Sequence, residues 1–507
     1  MLPNINENVT INELTRLNDS LRKNSQVGYQ SNSMGSGSLA PLVAQSIEGT
    51  LASAAHTMRD LALWPMLPKI QASNTLHEYA VISQHGEDLD PFIAEGGGSE
   101  FGATASQYER KSVKIKYMAE KRSISDVSTL VGIVGPNADA LAEETERGTM
   151  SLLRKMEVQL FHGDEDVNPL AFDGVLKQIE RDLDGARNAY QFGKPFSENQ
   201  EDLQGASLTG SKLHEVLGEL YSAPRFGNPD AIFMSPKAYS KLIADSAANG
   251  RHDSMVLVNQ GDQGVHTLGA GPRIHIMGPM GPVPVVAAPF ISRRLAPPSV
   301  ASAGADITAI ARDPGAGTTP FTTEDVRSAA QFVAADANFG TENGWDATGT
   351  GAGHDGDYRY VFVPVNKKGY GAPIISAVVA AHDDAIPRFN LAALQTGTSI
   401  YVRVYRAKLG AAASDAQVLR AAQLIGEVLA SEIIGKDWYD AGFERLDCDQ
   451  VLISQMDPQC IEFARLLDFI RRPLANVGAA QQFLLMMFGA PSVKVARKNF
   501  VLRNVSK

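Results

Sequence analysis

A β-rich block in the middle of the chain constrains its fold more than any other stretch. It runs through Tyr358-Arg359-Tyr360-Val361-Phe362-Val363-Pro364-Val365-Asn366, then Gly369–Pro373, then Ile400-Tyr401-Val402-Arg403-Val404-Tyr405-Arg406. β-branched and aromatic residues at this density read as strands of a small sandwich. Helix and strand patterns alternate before the block and resume after it, so it reads as a β unit set inside a different fold. A chain of 507 residues has room for two to four domains.

Composition narrows the function classes. Hydrophobic residues make up 44% and charged residues 20%, which suits packed cores and is too apolar for a disordered chain. The formal net charge of −11 argues against a general nucleic-acid binder, which would carry a basic stripe. Two cysteines, Cys448 and Cys460, exclude a disulfide framework and a four-cysteine zinc site; they read as reduced, buried thiols. The start Met1–Glu7 lacks the basic and apolar regions of a signal peptide. The apolar run Phe483–Phe488 is too short to span a bilayer. Folding in a cytoplasm follows, and the sequons at Asn8, Asn18 and Asn504 read as chance.

Along the chain, a polar arm with one helical pattern at Ile11–Lys23 leads to a helix expected over Pro41–Leu63, with Pro41 in its first turn. Strands are expected at Leu76–Ser83 and Tyr108–Met118, the second with Val113, Ile115 and Tyr117 on its apolar face and Lys114 and Lys116 opposite. The Gly-rich tip between them, Gly86–Ser106, is too long for an ordinary hairpin turn. Ala138–His162 carries the clearest helical stripe (Leu141, Thr145, Thr149, Leu152, Met156, Leu160), with Asn137 at its start and Gly163 at its end. At 1.5 Å per residue it would be roughly 37 Å long. A helix at Leu208–Tyr221, a strand at Ala231–Met234, a Ser235-Pro236 start to helix Lys237–Ala244, and strands Arg273–Met277 and Val283–Ala287 around the turn Gly278–Pro282 follow. Residues 299–357 are rich in Ala, Gly, Thr and Asp. After the β block come a helical pattern at Asp415–Glu432, a strand at Val451–Ile453, a helix at Glu462–Phe469, and strands at Phe483–Phe488 and within Ser492–Val505.

No catalytic, cofactor or metal residues emerge. Gly351-Ala352-Gly353-His354-Asp355-Gly356 matches GxGxxG but precedes a strand instead of opening a helix, so it lacks the context of a dinucleotide site. The cluster His162-Gly163-Asp164-Glu165-Asp166 could offer oxygens to a hard cation, yet reads better as a solvated helix end. Lys111–Lys121 could bind phosphate, and reads better as a charged hairpin face meeting an acidic neighbour. No GxSxG elbow, HExxH helix or GxxxxGK[ST] loop is present.

The order of parts resembles that of tailed-phage major capsid proteins of the Hong Kong-type (Johnson) fold. The resemblance rests on the arm, the long hairpin, the long helix, Phe172-Asp173-Gly174-Val175-Leu176, and Ile232-Phe233-Met234-Ser235-Pro236-Lys237-Ala238-Tyr239. It rests also on the closing Phe488-Gly489-Ala490-Pro491 with Asn499 to Val505. The middle block is similar to the immunoglobulin- or fibronectin-like insertion that some of these proteins carry, with Tyr358 to Asn366 matching its Tyr-x-Tyr-x-Val strand, Gly369 to Pro373 the Gly and Pro turn after it, and Val404-Tyr405-Arg406 the end of a later strand.

That resemblance implies an α+β capsid fold with an N-terminal arm, extended hairpin loop, spine helix, peripheral and axial domains, and an inserted β-sandwich. The boundaries are 1–70 for arm and first helix, 71–125 for the hairpin loop, 126–206 for the peripheral domain and 207–300 for the axial domain. The insertion is placed at 301–445 and the return to axial and peripheral domains at 446–507. It further implies a non-enzymatic subunit forming hexamers and pentamers of itself, assembled in a host cytoplasm into a virion shell that encloses double-stranded DNA. A decoration protein, a scaffold and a portal are further partners, with no membrane. The family's Lys–Asn crosslink has no matching motif here. Two other readings are a cargo-compartment shell of encapsulin type and a secreted enzyme with a fibronectin-like module. The latter calls for a signal peptide, a terminal module and a cleft with paired acids or a triad, none of which the sequence displays.

Overall fold

The structure, a computed structural model, describes residues 57–85, 105–130, 139–181, 199–248 except 224, 255–257, 274–292, 296–300, 321–325, 356–381 except 368 and 377, 385–390, 401–433, 437–440, and 444–507 except 476 and 477. The chain divides into two compact units: 55–126 with 144–507, and 1–54 with 127–143. In the smaller unit the described residues are helical around Val127 and again from Ala140. The polar arm, the tip from Gly86 to Thr104 and the glycines Gly351 and Gly353 lie outside the described residues.

A seven-stranded sheet runs in the order Gln200–Asp202, Phe500–Ser506, Cys448–Ser454, Ala231–Met234, Gly281–Ala287, Ile274–Gly278, Met255–Leu257. Its central strand, Ala231–Met234, is buried at all four positions because both faces of the sheet are covered. Ile232 and Met234 meet Leu213, Val216 and Leu220 of helix Gly210–Tyr221 and Leu242 of helix Pro236–Ala248. Ala231 and Phe233 turn the other way, toward Leu160 and Phe161 of helix Ala140–His162 and Val175 and Ile179 of helix Val175–Arg181. Helix Gly210–Tyr221 starts where Thr209 Oγ1 accepts from Lys212 N, and the next helix where Ser235 Oγ accepts from Ala238 N at 3.3 Å, as the Ser-Pro signal predicts.

A four-stranded sheet, ordered Lys69–Gln71, Ile461–Pro473, Ala480–Val493, Lys116–Ser125, lies against helix Ala140–His162. The approach is close at Gly148, where a Cβ would stand 2.5 Å from Leu485 Cδ1. Glu120 fixes the helix from the sheet side, accepting from Lys155 Nζ at 2.8 Å and Ser151 Oγ at 3.1 Å, with Arg122 also on it.

The middle block forms two sheets whose strands, among the described residues, pair only within the block. One is a six-stranded sheet around Gly356–Asn366, Tyr401–Ala407 and Gln423–Leu429; the other joins Phe321–Asp325, Ala385–Asn390 and Asp437–Tyr439. The two long strands expected in the block are present, as Gly356–Asn366 and Tyr401–Ala407. Gly369–Tyr370 turns straight back on Val365 and Asn366, and Asn366 Oδ1 accepts from Gly369 N at 3.0 Å to close the turn.

Four expectations change. Glu462–Phe469 is not a helix but part of strand Ile461–Pro473, because Ala480–Val493 offers it a full antiparallel partner. The helical pattern Asp415–Glu432 breaks after Ala421: Ala422 is extended, and Gln423–Leu429, with Ile425, Gly426 and Val428, pairs with the open edge of Tyr401–Ala407. The C-terminal part of Pro41–Leu63 is not α-helical; Met58–Asp60 is a single 3₁₀ turn, Leu61 is extended, and a new short helix begins at Leu63. Tyr117 is 58% exposed, although alternation put it with Ile115. The strand breaks at Ile115, whose N–H goes to Thr75 O, and beyond it the inward positions are even-numbered, ending at buried Ile124.

Candidate functional site

Strands Leu76–Gln84 and Gln107–Lys114 pair antiparallel, and among the described residues no third strand joins them, so this two-stranded ribbon has two open edges there. None of residues 76–82 or 108–114 is buried. Directly opposed residues share a face. One face carries Leu76, Glu78, Ala80 and Ile82 with Lys114, Ser112, Arg110 and Tyr108, and is open to solvent: Tyr108 is 71% exposed and Ile82 47%. The other carries His77, Tyr79 and Val81 opposite Val113, Lys111 and Glu109.

This second face touches the four-stranded sheet. His77 Nε2 lies 3.2 Å from Glu462 Oε1, the Tyr79 hydroxyl donates to Val493 O at 3.4 Å, and Lys494 stands over the Tyr79 ring. A two-stranded ribbon is marginal alone in water, so these contacts and whatever covers its open face decide its stability.

The predicted chemical clusters resolve as internal pairs. Lys177 Nζ gathers the three carboxylates Asp164, Asp166 and Asp173. Burial opposes its charge, but the carboxylates outweigh that and hold its pKa above the usual range. His162 Nε2 meets Ile291 O at 2.7 Å and Glu165 meets Lys116 at 2.8 Å. The helix end is therefore neutralised within the fold instead of simply solvated, and Lys116 turns inward from the lysine-rich strand. Among the described residues, no group of three His, Cys, Asp or Glu could hold a metal ion, and no helix is long and apolar enough to cross a membrane. Asn504 is 4% exposed and donates to Asp202.

Sequence reasoning missed a polar core under the six-stranded sheet. Arg406, fully buried, meets Asp440 Oδ2 at 2.6 Å, and the Tyr360 hydroxyl donates to the same oxygen at 2.7 Å. Burial, then Asp440, pushes the Tyr360 phenol far up. Tyr, Asp and Arg could do acid–base work if a substrate reached them, but Tyr360 and Arg406 are both 0% exposed, so the cluster ties the segment at Asp440 to the sheet. Arg403 is held similarly by Glu427 at 2.7 Å, beside Tyr370 and Tyr401.

A half-open depression lies where Gln423–Leu429 meets Cys448–Ser454, with Glu444, Cys448, Asp449, Gln450 and Lys507 beside the aliphatic Leu424 and Ile425 in its lining. Its carboxylates are engaged: Glu444 by Arg503, Asp449 by Lys507 at 2.7 Å.

No protein-family model matches the chain, and no curated protein matches it. Solved structures align along most of its length. The holo-SrpI encapsulin complex of Synechococcus elongatus is 9% identical, with 93% of this chain and 97% of that chain covered and a TM-score of 0.42. The capsid of an empty GTA particle is 11% identical, with 94% and 99% covered and a TM-score of 0.43. The capsid of the Myoviridae phage XM1 is 7% identical, with 93% and 100% covered and a TM-score of 0.40.

Proposed function

We propose that this chain is the major capsid protein of a tailed phage, a subunit that assembles with copies of itself into an icosahedral shell around double-stranded DNA. The observation that carries the reading is the ribbon Leu76–Gln84/Gln107–Lys114: among the described residues it has two open edges, one exposed face and none of residues 76–82 or 108–114 buried. A protein that repeats covers such a ribbon with the next copy. Hexamers and pentamers are the closed rings such a subunit would form. Helix Ala140–His162 backed by the four-stranded sheet supplies a stiff span between contacts. Shell contacts of about 1,600 Å² each, repeated around every subunit, replace any single tight site.

Negative-stain microscopy of the purified protein tests this directly. Closed shells or tubes are expected, and a protein that stays monomeric at high concentration would refute the reading. Nucleic acid inside shells isolated from the native source separates a capsid from a cargo compartment, which would hold protein.

Residues 301–445 are proposed as an inserted domain on the outer side of the shell, where a decoration protein could dock. Among the described residues, the strands between Phe321 and Tyr439 pair only among themselves, which supports the boundary. A chain with 301–445 replaced by a short Gly/Ser linker is expected to keep the core fold by circular dichroism and cooperative unfolding. Loss of folding would remove the insertion reading.

A further inference from the structure

Residues 444–447 return the chain from the middle block to the seven-stranded sheet, and they are bonded on both sides. Toward the block, the Glu444 main-chain oxygen accepts from Arg406 Nη2, and Arg406 is itself buried and held by Asp440 at 2.6 Å. Gln423, the first residue of strand Gln423–Leu429, makes a reciprocal pair with Asp447. Its Nε2 donates to Asp447 Oδ1 at 3.1 Å, and its Oε1 accepts from Asp447 N at 2.9 Å. Toward the sheet, the Glu444 carboxylate accepts from Arg503 Nη2. Arg445 N donates to Asn504 Oδ1 at 3.0 Å, and Asp447 O accepts from Lys507 N at 3.2 Å. These partners lie on or just past strand Phe500–Ser506. Asp447 and Asn504 both have left-handed backbone, at φ 59° and 51°. Aspartate and asparagine tolerate that region better than most residues, and the bonds on each side keep it in place.

We propose that residues 444–447 are a rigid brace that fixes the orientation of the middle block on the seven-stranded sheet, so that the two move as one body. The proposal rests on reading 301–445 as an inserted domain. Domains joined across a small, polar seam ordinarily move relative to one another. The seam here is a half-open depression in which Leu424 and Ile425 of the block share the lining with Ile291, Cys448 and Gln450, so apolar contact alone does not hold the block at one angle. An ordinary linker turns its main-chain groups to water. In this segment the main-chain groups of Glu444, Arg445 and Asp447 are bonded to side chains or main chain of the two bodies it joins. Such bonds are directional, and spread over both sides they fix an angle as well as a distance. A molecule docked on the block would therefore be held at a set orientation to the sheet.

The spread of one distance between block and sheet tests this. Spin labels are placed on Ala416→Cys, exposed in helix Asp415–Ala421 of the block, and on Lys237→Cys, exposed in helix Pro236–Ala248 packed on the sheet. Labelling is kept brief at about pH 7, where the two native thiols carry little thiolate. Labelled chains are diluted with unlabelled full-length chain so that only distances within one chain count. Double electron–electron resonance is expected to give one narrow distribution in the parent, broadened roughly twofold when Gln423→Ala and Glu444→Ala remove a tie on each side. Gln423→Ala alone, which leaves no charge unpaired, should broaden it by less and decides the matter if the double variant does not fold. Deletion of 301–445 asks only whether the block is separable, so that reading and this one can fail independently. A broad distribution in the parent, or an unchanged width in the folded variants, would overturn the brace.

Discussion

Gly489 lies hard against the ring of Phe463: a Cβ on Gly489 would stand 2.3 Å from ring Cε1, 2.6 Å from Cζ and 3.0 Å from Ala464 O. The ring cannot retreat freely, because Trp64 packs edge-on to it with centroids 5.1 Å apart. The Phe-Gly-Ala-Pro stretch near the C-terminus thus has a packing reason for its glycine. Gly489→Ala is expected to destabilise the protein by about 2 kcal/mol, read as a lower denaturant midpoint at unchanged slope. Adding Phe463→Leu should recover part of that loss, since residues in contact couple. Strictly additive effects would show that the clash is relieved elsewhere.

Glu157 holds the start of the short helix Leu63–Met66. Fully buried, it accepts from the backbone N–H groups of Ala62, Leu63 and Trp64 at 2.9, 2.7 and 2.9 Å. Burial pushes its carboxyl up and the three N–H groups pull it back only in part. Glu157→Ala strips three buried donors of their acceptor and is expected to cost about 3 kcal/mol or more. Glu157→Gln keeps one carbonyl acceptor and should cost less. Thermal unfolding of the two variants, with Trp64 fluorescence as a local readout, checks the order.

Glu120 gives the junction of long helix and sheet a pH signature. Burial opposes its charge, but Lys155, Arg122 and Ser151 outweigh that and hold its carboxyl below the usual 4.5. A lowered native value means that Glu120 stabilises the fold above about pH 4.5 and loses that contribution as pH falls through the native value. Lys155 is 63% exposed, so solvent screens the pair and about 1 kcal/mol is the scale expected. Glu120→Gln should therefore be less stable than the native chain at pH 7, with the gap closing in acid. A gap that is constant with pH would exclude this origin.

Both thiols should be slow to react. Burial pushes Cys448 up to about 11 and Cys460 upward as well, so little thiolate exists at neutral pH. Labelling by a disulfide reagent at about pH 8 is expected to be at least roughly tenfold slower in the folded protein than in denaturant. Rapid modification of one thiol would indicate that its surroundings open readily.

What was readable in the sequence depended on where the deciding interaction lay. Helix Ala140–His162 and strand Ala231–Met234 were legible because periodicity, Ser235 and Gly163 are local signals. Gly163 ends the helix by proximity: a Cβ there would stand 2.3 Å from Phe172 O. Glu462–Phe469 and Gln423–Leu429 read as helix in sequence because their strand state is imposed by partners, Ala480–Val493 and Tyr401–Ala407. The two strands of the ribbon were visible from alternation. Its fastening was not: Glu462 is separated from His77 by 385 positions, and an acid inside an apolar run looks like the polar face of a helix until its partner is seen.

The chain leaves the seven-stranded sheet at Ala287 and re-enters it at Cys448, with Ala231–Met234 between the two strands. The register of that central strand with both neighbours puts exit and re-entry at the same end of the sheet, two strand spacings apart across it with Cys448 further out along its strand, roughly 14 Å in all. To the sheet, everything between is one closed loop with fixed ends. Closure entropy rises by only about 0.6 kcal/mol for each doubling of a flexible loop's length. The sheet can therefore carry a segment of very different size or content at this point for little cost in its own stability, and the surface above that end is free to diverge while the strands beneath it stay the same.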